Sequence, residues 1–192
     1  MTGRSRSALV TGASSGIGRA IAIALAKAGY DVFALGRTES ALSQLAKIAG
    51  VEPVVQDVTD REKLAALAEA RAFDVFVNNA GVMPPVVDFA EMAQSDIDTA
   101  LAVNLAAVIA ATRLVLPAMM ARTKGHIFFT GSTSGHAPFP KMAVYGATKA
   151  AISSFAASLR CEVAGSNVRI TEIVAGRVQT ELYRDVLDRQ KR

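Results

Sequence analysis

The chain of 192 residues has one cysteine, two histidines and no tryptophan. Cys161 alone cannot close an internal disulfide, so the fold has to rest on packing, and a reducing, cytoplasmic setting fits. With no histidine pair and no cysteine cluster, no metal site is expected. No apolar run approaches the ~20 residues of a membrane span, so no membrane partner is expected. The opening M-T-G-R-S-R-S leads directly into a short strand and a turn, which is not the pattern of a secretory leader. The net charge is only +4. The basic residues are scattered, apart from a few at the two ends, and form no stripe interleaved with aromatics. That argues against nucleic acid as a partner. A mild positive field does suit a ligand that carries phosphate.

Apolar residues, by contrast, make up 51% of the chain. That is enough for a substantial core and too much for disorder. No repeat, low-complexity linker or boundary interrupts residues 1–192, which read as one domain. Short β-branched runs alternate with helical ones. Strands are predicted at 7–11, 31–35, 53–56, 74–77, 126–130 and 168–174. Helices are predicted at 16–28, 39–48, 60–70, 95–122, 145–163 and 179–189, the long one bent near Pro117. Strict alternation predicts an α/β fold: a doubly wound, Rossmann-like parallel sheet of six strands with helices on both faces. The strand runs are continuously apolar (A-L-V, V-F-A-L, V-F-V, I-F-F), as expected for strands buried on both sides.

Two motifs carry chemistry. T-G-A-S-S-G-I-G, from Thr11 to Gly18, joins the first strand to the first helix. Gly12 permits a tight turn, Gly16 a close approach of a ligand to the backbone, and Gly18 close packing of helix on sheet. The free N–H groups of Ser14, Ser15, Gly16 and Ile17 at the helix start then favour a phosphate. A glycine-rich turn without a ligand is the plain alternative. The second motif is Y-G-A-T-K at 145–149. On a helix Tyr145 and Lys149 are neighbours. A free tyrosine titrates near pH ~10, and a lysine cation beside it favours the phenolate, so Tyr145 becomes able to exchange protons. Ser132, at the end of a strand, could hold a carbonyl oxygen over the phenol. Taken alone, Y-x-x-x-K is as much at home on a solvated helix face.

These motifs, with N-N-A-G at 78–81 and Asn104 inside the long helix, stand in the order found in the short-chain dehydrogenase/reductase family, which the chain resembles over nearly its whole length. The resemblance implies a nicotinamide dinucleotide bound across the strand ends, and hydride transfer between it and a small carbonyl or secondary-alcohol substrate. Asn104, Ser132, Tyr145 and Lys149 would be the catalytic set. Tyr145 would act as the acid/base, Ser132 would hold the oxygen, and Lys149 would also bind the nicotinamide ribose. Asn104 would interrupt its helix through a water that links Lys149 to solvent. The glycine turn would hold the pyrophosphate. Asp57, followed by Val58, would receive the adenine, or else simply lead into a helix. Asn78, Ala80 and Gly81 would line the path to the nicotinamide, although Asn78 could equally tie neighbouring strands together. Gly176, Val178 and Thr180 would approach the carboxamide.

An NAD-preferring relative would carry a carboxylate near Gly36. Here Arg37 and Thr38 stand there, with Arg19 nearby, and a guanidinium can grip a 2′-phosphate. NADP(H) is therefore expected over NAD(H). Met83, Pro84, His136, Phe139 and Met142 flank the motifs and are expected to border a mostly apolar substrate pocket. The sequence departs from the family pattern in three ways. Ala175 replaces a usual proline, which leaves the loop near Val178 and Thr180 less fixed. The stretches from 49 to 57 and from 57 to 78 are short, which implies a trimmed outer helix. The helix and seventh strand that relatives carry after Thr180 are missing, which implies an exposed sixth strand and an open substrate side. The two long helices, 95–122 and 145–163, are the family's dimer surface, so a homodimer is expected. The competing reading is a catalytically silent NADP(H)-binding sensor or assembly subunit. The full set of Asn104, Ser132, Tyr145 and Lys149 speaks against it, because mere binding needs neither Tyr145 nor Ser132.

Overall fold

The structure is a computed structural model and describes residues 5–180 and 182. The helix expected over 179–189 lies almost wholly outside the described residues. Six strands form one parallel sheet: β1 (Arg6–Thr11), β2 (Tyr30–Gly36), β3 (Val51–Val55), β4 (Val75–Asn78), β5 (Gly125–Ser132) and β6 (Val168–Ala175). Their spatial order is β3-β2-β1-β4-β5-β6. The order reverses between β1 and β4, and such a switch point opens a crevice at the carboxyl ends of the strands. β3 sits at one edge and contains Pro53. An edge is where a strand tolerates a residue with no N–H.

The helices are α1 (Gly16–Lys27), α2 (Glu39–Leu45), α3 (Arg61–Ala70), α4 (Gln94–Leu101), α5 (Ala107–Ala121) and α6 (Ala143–Glu162). The sheet sorts its side chains by strand period. Ala8, Val10, Val32, Ala34, Val75 and Val77 pack on Ala22 of α1 and on Leu42 and Leu45 of α2. Leu9, Phe33, Phe76, Ile127 and Phe129 face Leu64 of α3, Val108, Ala111, Val115 and Met119 of α5, and Ile152, Ala156 and Leu159 of α6. The outer helix inside the short stretch 57–78 is α3, at ten residues.

The sequence expectation needs correction at one strand. β5 does not read as buried on both sides: Ile127 and Phe129 are buried, whereas His126, Phe128 and Thr130 are half-buried. The long helix runs from Gln94 to Ala121 and continues through Pro117. A π-helical segment, Ala102–Ala106, centred on Asn104, interrupts it, in line with the break expected at that residue. At 28 residues this helix is also long and apolar enough to cross a membrane by those measures alone. Its apolar side is spent on the core cluster around Val108, Ala111, Val115 and Met119.

Candidate active site

A cleft of ≈ 960 Å³ lies over the carboxyl ends of the strands, at the switch point. One side is the glycine turn. Gly12 has φ +67°, and a Cβ there would lie 2.8 Å from Ala80 Cα. The turn needs both the left-handed backbone and the bare hydrogen. Thr11, fully buried, organises the floor. Its hydroxyl accepts from the N–H groups of Asn79 and Ala80, each at 3.0 Å, and donates to the carbonyl of Val77 at 3.2 Å. Ser14, Ser15, Gly16 and Ile17 line the cleft beside it. Gly18 does not line it. A Cβ at Gly18 would overlap the carbonyl of Gly12 and the side chain of Asn79, so this glycine lets α1 start against the turn.

Asn78 calls for a correction. The expectation left it between the cofactor path and a tie of neighbouring strands; it is 4% exposed, lies outside the cleft lining, and donates to Thr112 of α5 at 3.2 Å. Its neighbour Asn79, which the motif does not single out, lines the cleft. Asn79 Nδ2 donates to the carbonyls of Thr11 and Gly12 at 3.1 and 3.3 Å, and its Oδ1 accepts from Thr130 at 3.3 Å. The strand-tying role falls to this second asparagine. β4 ends at Asn78, so Asn79 stands just beyond the strand, and the doubled N-N was the available signal.

Along the cleft, Arg37 and Thr38 follow β2, while Asp57 and Val58 follow β3. Arg37 lies 3.8 Å from the Asp57 carboxylate, and both are well exposed. The backbone N–H of Thr59 holds the Asp57 carboxyl below its ordinary range, helped by the Thr59 hydroxyl and, more weakly, by Arg37. Asp57 is thus at once a turn residue and a cleft residue. Arg19 is exposed and outside the lining. The Ser14 hydroxyl, beside Gly36, is buried and has no hydrogen-bond partner. An orphaned hydroxyl, a guanidinium and free helix N–H groups in one corner fit a phosphorylated ribose.

At the other end Ser132, Tyr145 and Lys149 open onto the same cleft, with exposures of 9%, 7% and 7%. Ser132 Oγ accepts from the N–H of Ser134 at 3.2 Å, and its own proton can be directed at a ligand oxygen. Lys149 Nζ lies 5.7 Å from the centre of the Tyr145 ring and donates to the carbonyl of Thr130 at 2.7 Å. Burial pushes the Lys149 ammonium down to about 8, against the opposing pull of Glu172. Asn104 does not line the cleft. Its amide is satisfied by Val82 and Thr148, and Thr148 in turn donates to the carbonyl of Tyr145 at 2.8 Å. Ala80 and Gly81 line the middle, and Gly176, Val178 and Thr180 close the side after β6. Thr180 reaches the glycine turn: a Cβ on Gly16 would lie 3.1 Å from its methyl. Met83, Pro84, Phe139 and Met142 border the cleft as expected, and His136 does not.

The parallel sheet, its switch-point cleft and the glycine turn define a dinucleotide-binding fold of the oxidoreductase type. The short chain dehydrogenase family model matches residues 6–191, and the chain belongs to that family. It is 48% identical over 183 residues to an uncharacterized short-chain type dehydrogenase/reductase of Sinorhizobium fredii, covering 95% of this chain and 74% of that protein. It is 38% identical over 177 residues to the NADP-dependent 3-hydroxy acid dehydrogenase YdfG of Salmonella typhi, covering 88% of this chain and 71% of the relative. Among solved structures, the closed form of serine dehydrogenase complexed with NADP+ superposes with a TM-score of 0.90 at 32% identity. It covers 95% of this chain and 77% of that one. An actinorhodin polyketide ketoreductase with NADPH gives 0.91, also at 32% identity, with 97% and 76% covered.

Proposed function

We propose that the protein is an NADP(H)-dependent oxidoreductase that interconverts a small carbonyl compound and its secondary alcohol. The observation that carries this reading is that Ser132, Tyr145 and Lys149 open onto the same cleft as the glycine turn. The orphaned Ser14 hydroxyl and Arg37 support a 2′-phosphate at the far end, and relatives described as NADP-dependent point the same way. Gly12 and residues 14–17 would hold the pyrophosphate, and Ala80 and Gly81 the path to the reacting end. The bound nicotinamide would supply the hydride that the substrate carbon gains on reduction. Tyr145 gives its phenolic proton to the substrate oxygen as that oxygen becomes an alkoxide. Ser132 donates a hydrogen bond to the same oxygen and orients it. Lys149 favours the phenolate that Tyr145 leaves behind. In the oxidation direction the same groups run in reverse. The π-helical break at Asn104 supports a proton path beneath Lys149. The apolar border of Met83, Pro84, Phe139 and Met142 supports a partly hydrophobic substrate.

Titration of the purified chain with NADPH and with NADH, read by nicotinamide fluorescence, tests the cofactor. Micromolar binding of NADPH, tighter than that of NADH, is expected, and binding of neither would sink the reading. Tyr145→Phe should then lose ~10²–10⁴-fold in turnover at unchanged NADPH affinity. Equal turnover in mutant and parent would remove Tyr145 from its role. We further infer a homodimer through Gln94–Ala121 and α6, supported by Leu101 and Ile109, which are large, apolar and 43% and 39% exposed. Light scattering on the eluted protein tests it, and a monomeric mass would refute it.

A further inference from the structure

The alternation of β6 breaks at one position. Val168 and Ile170 are buried in the cluster that holds Ile152, Ala156 and Leu159 of α6. Strand period two puts residue 172 on that same face, where a third apolar side chain would be expected. The residue is a glutamate, and its side chain is only 13% exposed. It fits because Gly131 stands beside it on β5: a Cβ at 131 would overlap the carboxylate. Glu172 Oε1 accepts a hydrogen bond from Ser153 Oγ at 2.5 Å. His136 Nε2 lies 3.5 Å from the same oxygen and 3.0 Å from the Ser153 hydroxyl. Ser153 sits one turn beyond Lys149 on α6, and His136 follows the short helical turn after Ser132.

This trio is not a hydrolytic Ser-His-Glu triad. The carboxylate and the hydroxyl meet the same ring nitrogen, so no proton path runs from hydroxyl through the ring to the acid. Its neighbours point to another role. Gly131 lies between Thr130, whose carbonyl accepts from Lys149, and Ser132. Gly135 packs on the backbone of Lys149, where a Cβ would lie 2.8 Å from the carbonyl carbon. The hydrogen-bond partner of Lys149 from another element is neutral, the Thr130 carbonyl on β5. Tyr145 is its titratable neighbour on α6. Glu172 on β6 is the carboxylate whose charge favours the Lys149 cation against burial, and His136 faces that carboxylate from the loop.

We propose that Glu172 is a positioning residue: it serves as the counter-charge of Lys149 and, through Ser153 and His136, clamps the segment after Ser132 onto α6. The inference rests on the reading of Ser132 and Lys149 given above. It is tested by titrating protein carrying 15N-lysine and following Lys149 Nζ by NMR, with Lys149→Arg identifying its signal. Glu172→Gln should move the Lys149 midpoint downward from the parent's, and Glu172→Asp, which keeps the charge, should restore most of the shift. An unchanged midpoint in Glu172→Gln overturns the proposal. If that variant does not fold, Ser153→Ala carries the test. It frees the carboxylate to turn toward solvent, so the midpoint should again fall, and an unmoved one overturns the proposal. The readout needs no turnover. A midpoint that falls in Glu172→Gln, in a chain whose parent reduces no carbonyl, would refute the functional reading and leave the counter-charge standing. A midpoint unmoved in Glu172→Gln of an active parent would do the opposite.

Discussion

The side-chain amide of Asn104 pairs with both main-chain groups of Val82, accepting from its N–H at 2.8 Å and donating to its carbonyl at 2.9 Å. A buried side chain in the π-helical segment thereby fixes the start of the loop that borders the cleft. Asn104→Ala should leave both Val82 groups short of a partner in a part-buried place. The expected loss is about 2 kcal/mol of stability. It should appear in urea unfolding as a lower midpoint with an unchanged slope. A change below ~0.5 kcal/mol would mean that water replaces the amide without penalty.

Two glycines separate two kinds of constraint. Gly29 has φ +80°, and a Cβ there would meet no atom within 4 Å, so only its backbone conformation resists substitution. Gly29→Ala should therefore lose about 1–2 kcal/mol and keep nucleotide binding. A Cβ on Gly18 would instead meet the Gly12 carbonyl and the Asn79 amide, both part of the turn. Gly18→Ala should lose NADPH binding at a residual stability that still gives a cooperative melt. Retained micromolar binding would show that the turn gives way more readily than its contacts imply.

The sheet, its order of elements and most of the cleft were legible in the sequence, because hydrophobic period and glycine spacing are local signals. Asn78 stayed open between the cofactor path and a structural tie, because its partner Thr112 is 34 positions away and carries no motif. Asn104 was legible as a polar residue in an apolar helix, whereas its partner Val82 is 22 positions away and carries no motif. Glu172 was visible as a break in V-R-I-T-E, yet its meaning depends on Gly131, Ser153 and His136 from three other segments. Such long-range polar groupings leave no period to read.

On the proposed function, Lys149 should tie pH to activity and to stability with opposite signs. Its folded-state value is lowered from 10.5 to about 8, chiefly by burial. Below pH 8 the folded chain carries the cation, and above it the amine is neutral while the unfolded chain stays protonated up to 10.5. Stability from this group is thus fully present above pH 10.5 and is lost as pH falls through about 8. The cation proposed to favour the Tyr145 phenolate follows the reverse course. Carbonyl reduction should decline above about pH 8 while thermal stability gains a contribution that Lys149→Met abolishes. A Lys149→Met chain with the parent's pH–stability curve would refute the assignment.

His126 should act only on stability. It lies on β5, with Nε2 at 2.8 Å from the Thr171 hydroxyl and its ring stacked on Phe128 at 3.9 Å between centroids. Burial, helped by Arg169, lowers it from 6.5 to about 4. The folded chain keeps it neutral where the unfolded chain takes up a proton, so its contribution is complete above pH 6.5 and is lost as pH falls through about 4. The melting temperature of His126→Gln should fall less than the parent's between about pH 7 and pH 4.5. Parallel curves would place the acid sensitivity elsewhere.

On the proposed function, Arg37 and Asp57 together should set the discrimination between cofactors. The carboxylate 3.8 Å from the guanidinium would compete with any 2′-phosphate for it, and the Thr59 N–H and hydroxyl hold that carboxylate ionised and in place. Arg37→Asp removes the cation and puts a second carboxylate beside Asp57. A charge-assisted hydrogen bond is worth about 1.5–3 kcal/mol, so NADPH affinity should fall ~10–100-fold. NADH, which carries no 2′-phosphate, should bind as well as before or better. Asp57→Asn works from the other side. It releases Arg37 from its competitor and keeps an acceptor for Thr59, so NADPH should bind more tightly and NADH should hardly change. Fluorescence titration of both variants with both nucleotides separates the contributions. If Arg37→Asp binds NADPH as the parent does, the guanidinium is only a surface partner of Asp57, and the phosphate must find its charge elsewhere in the cleft.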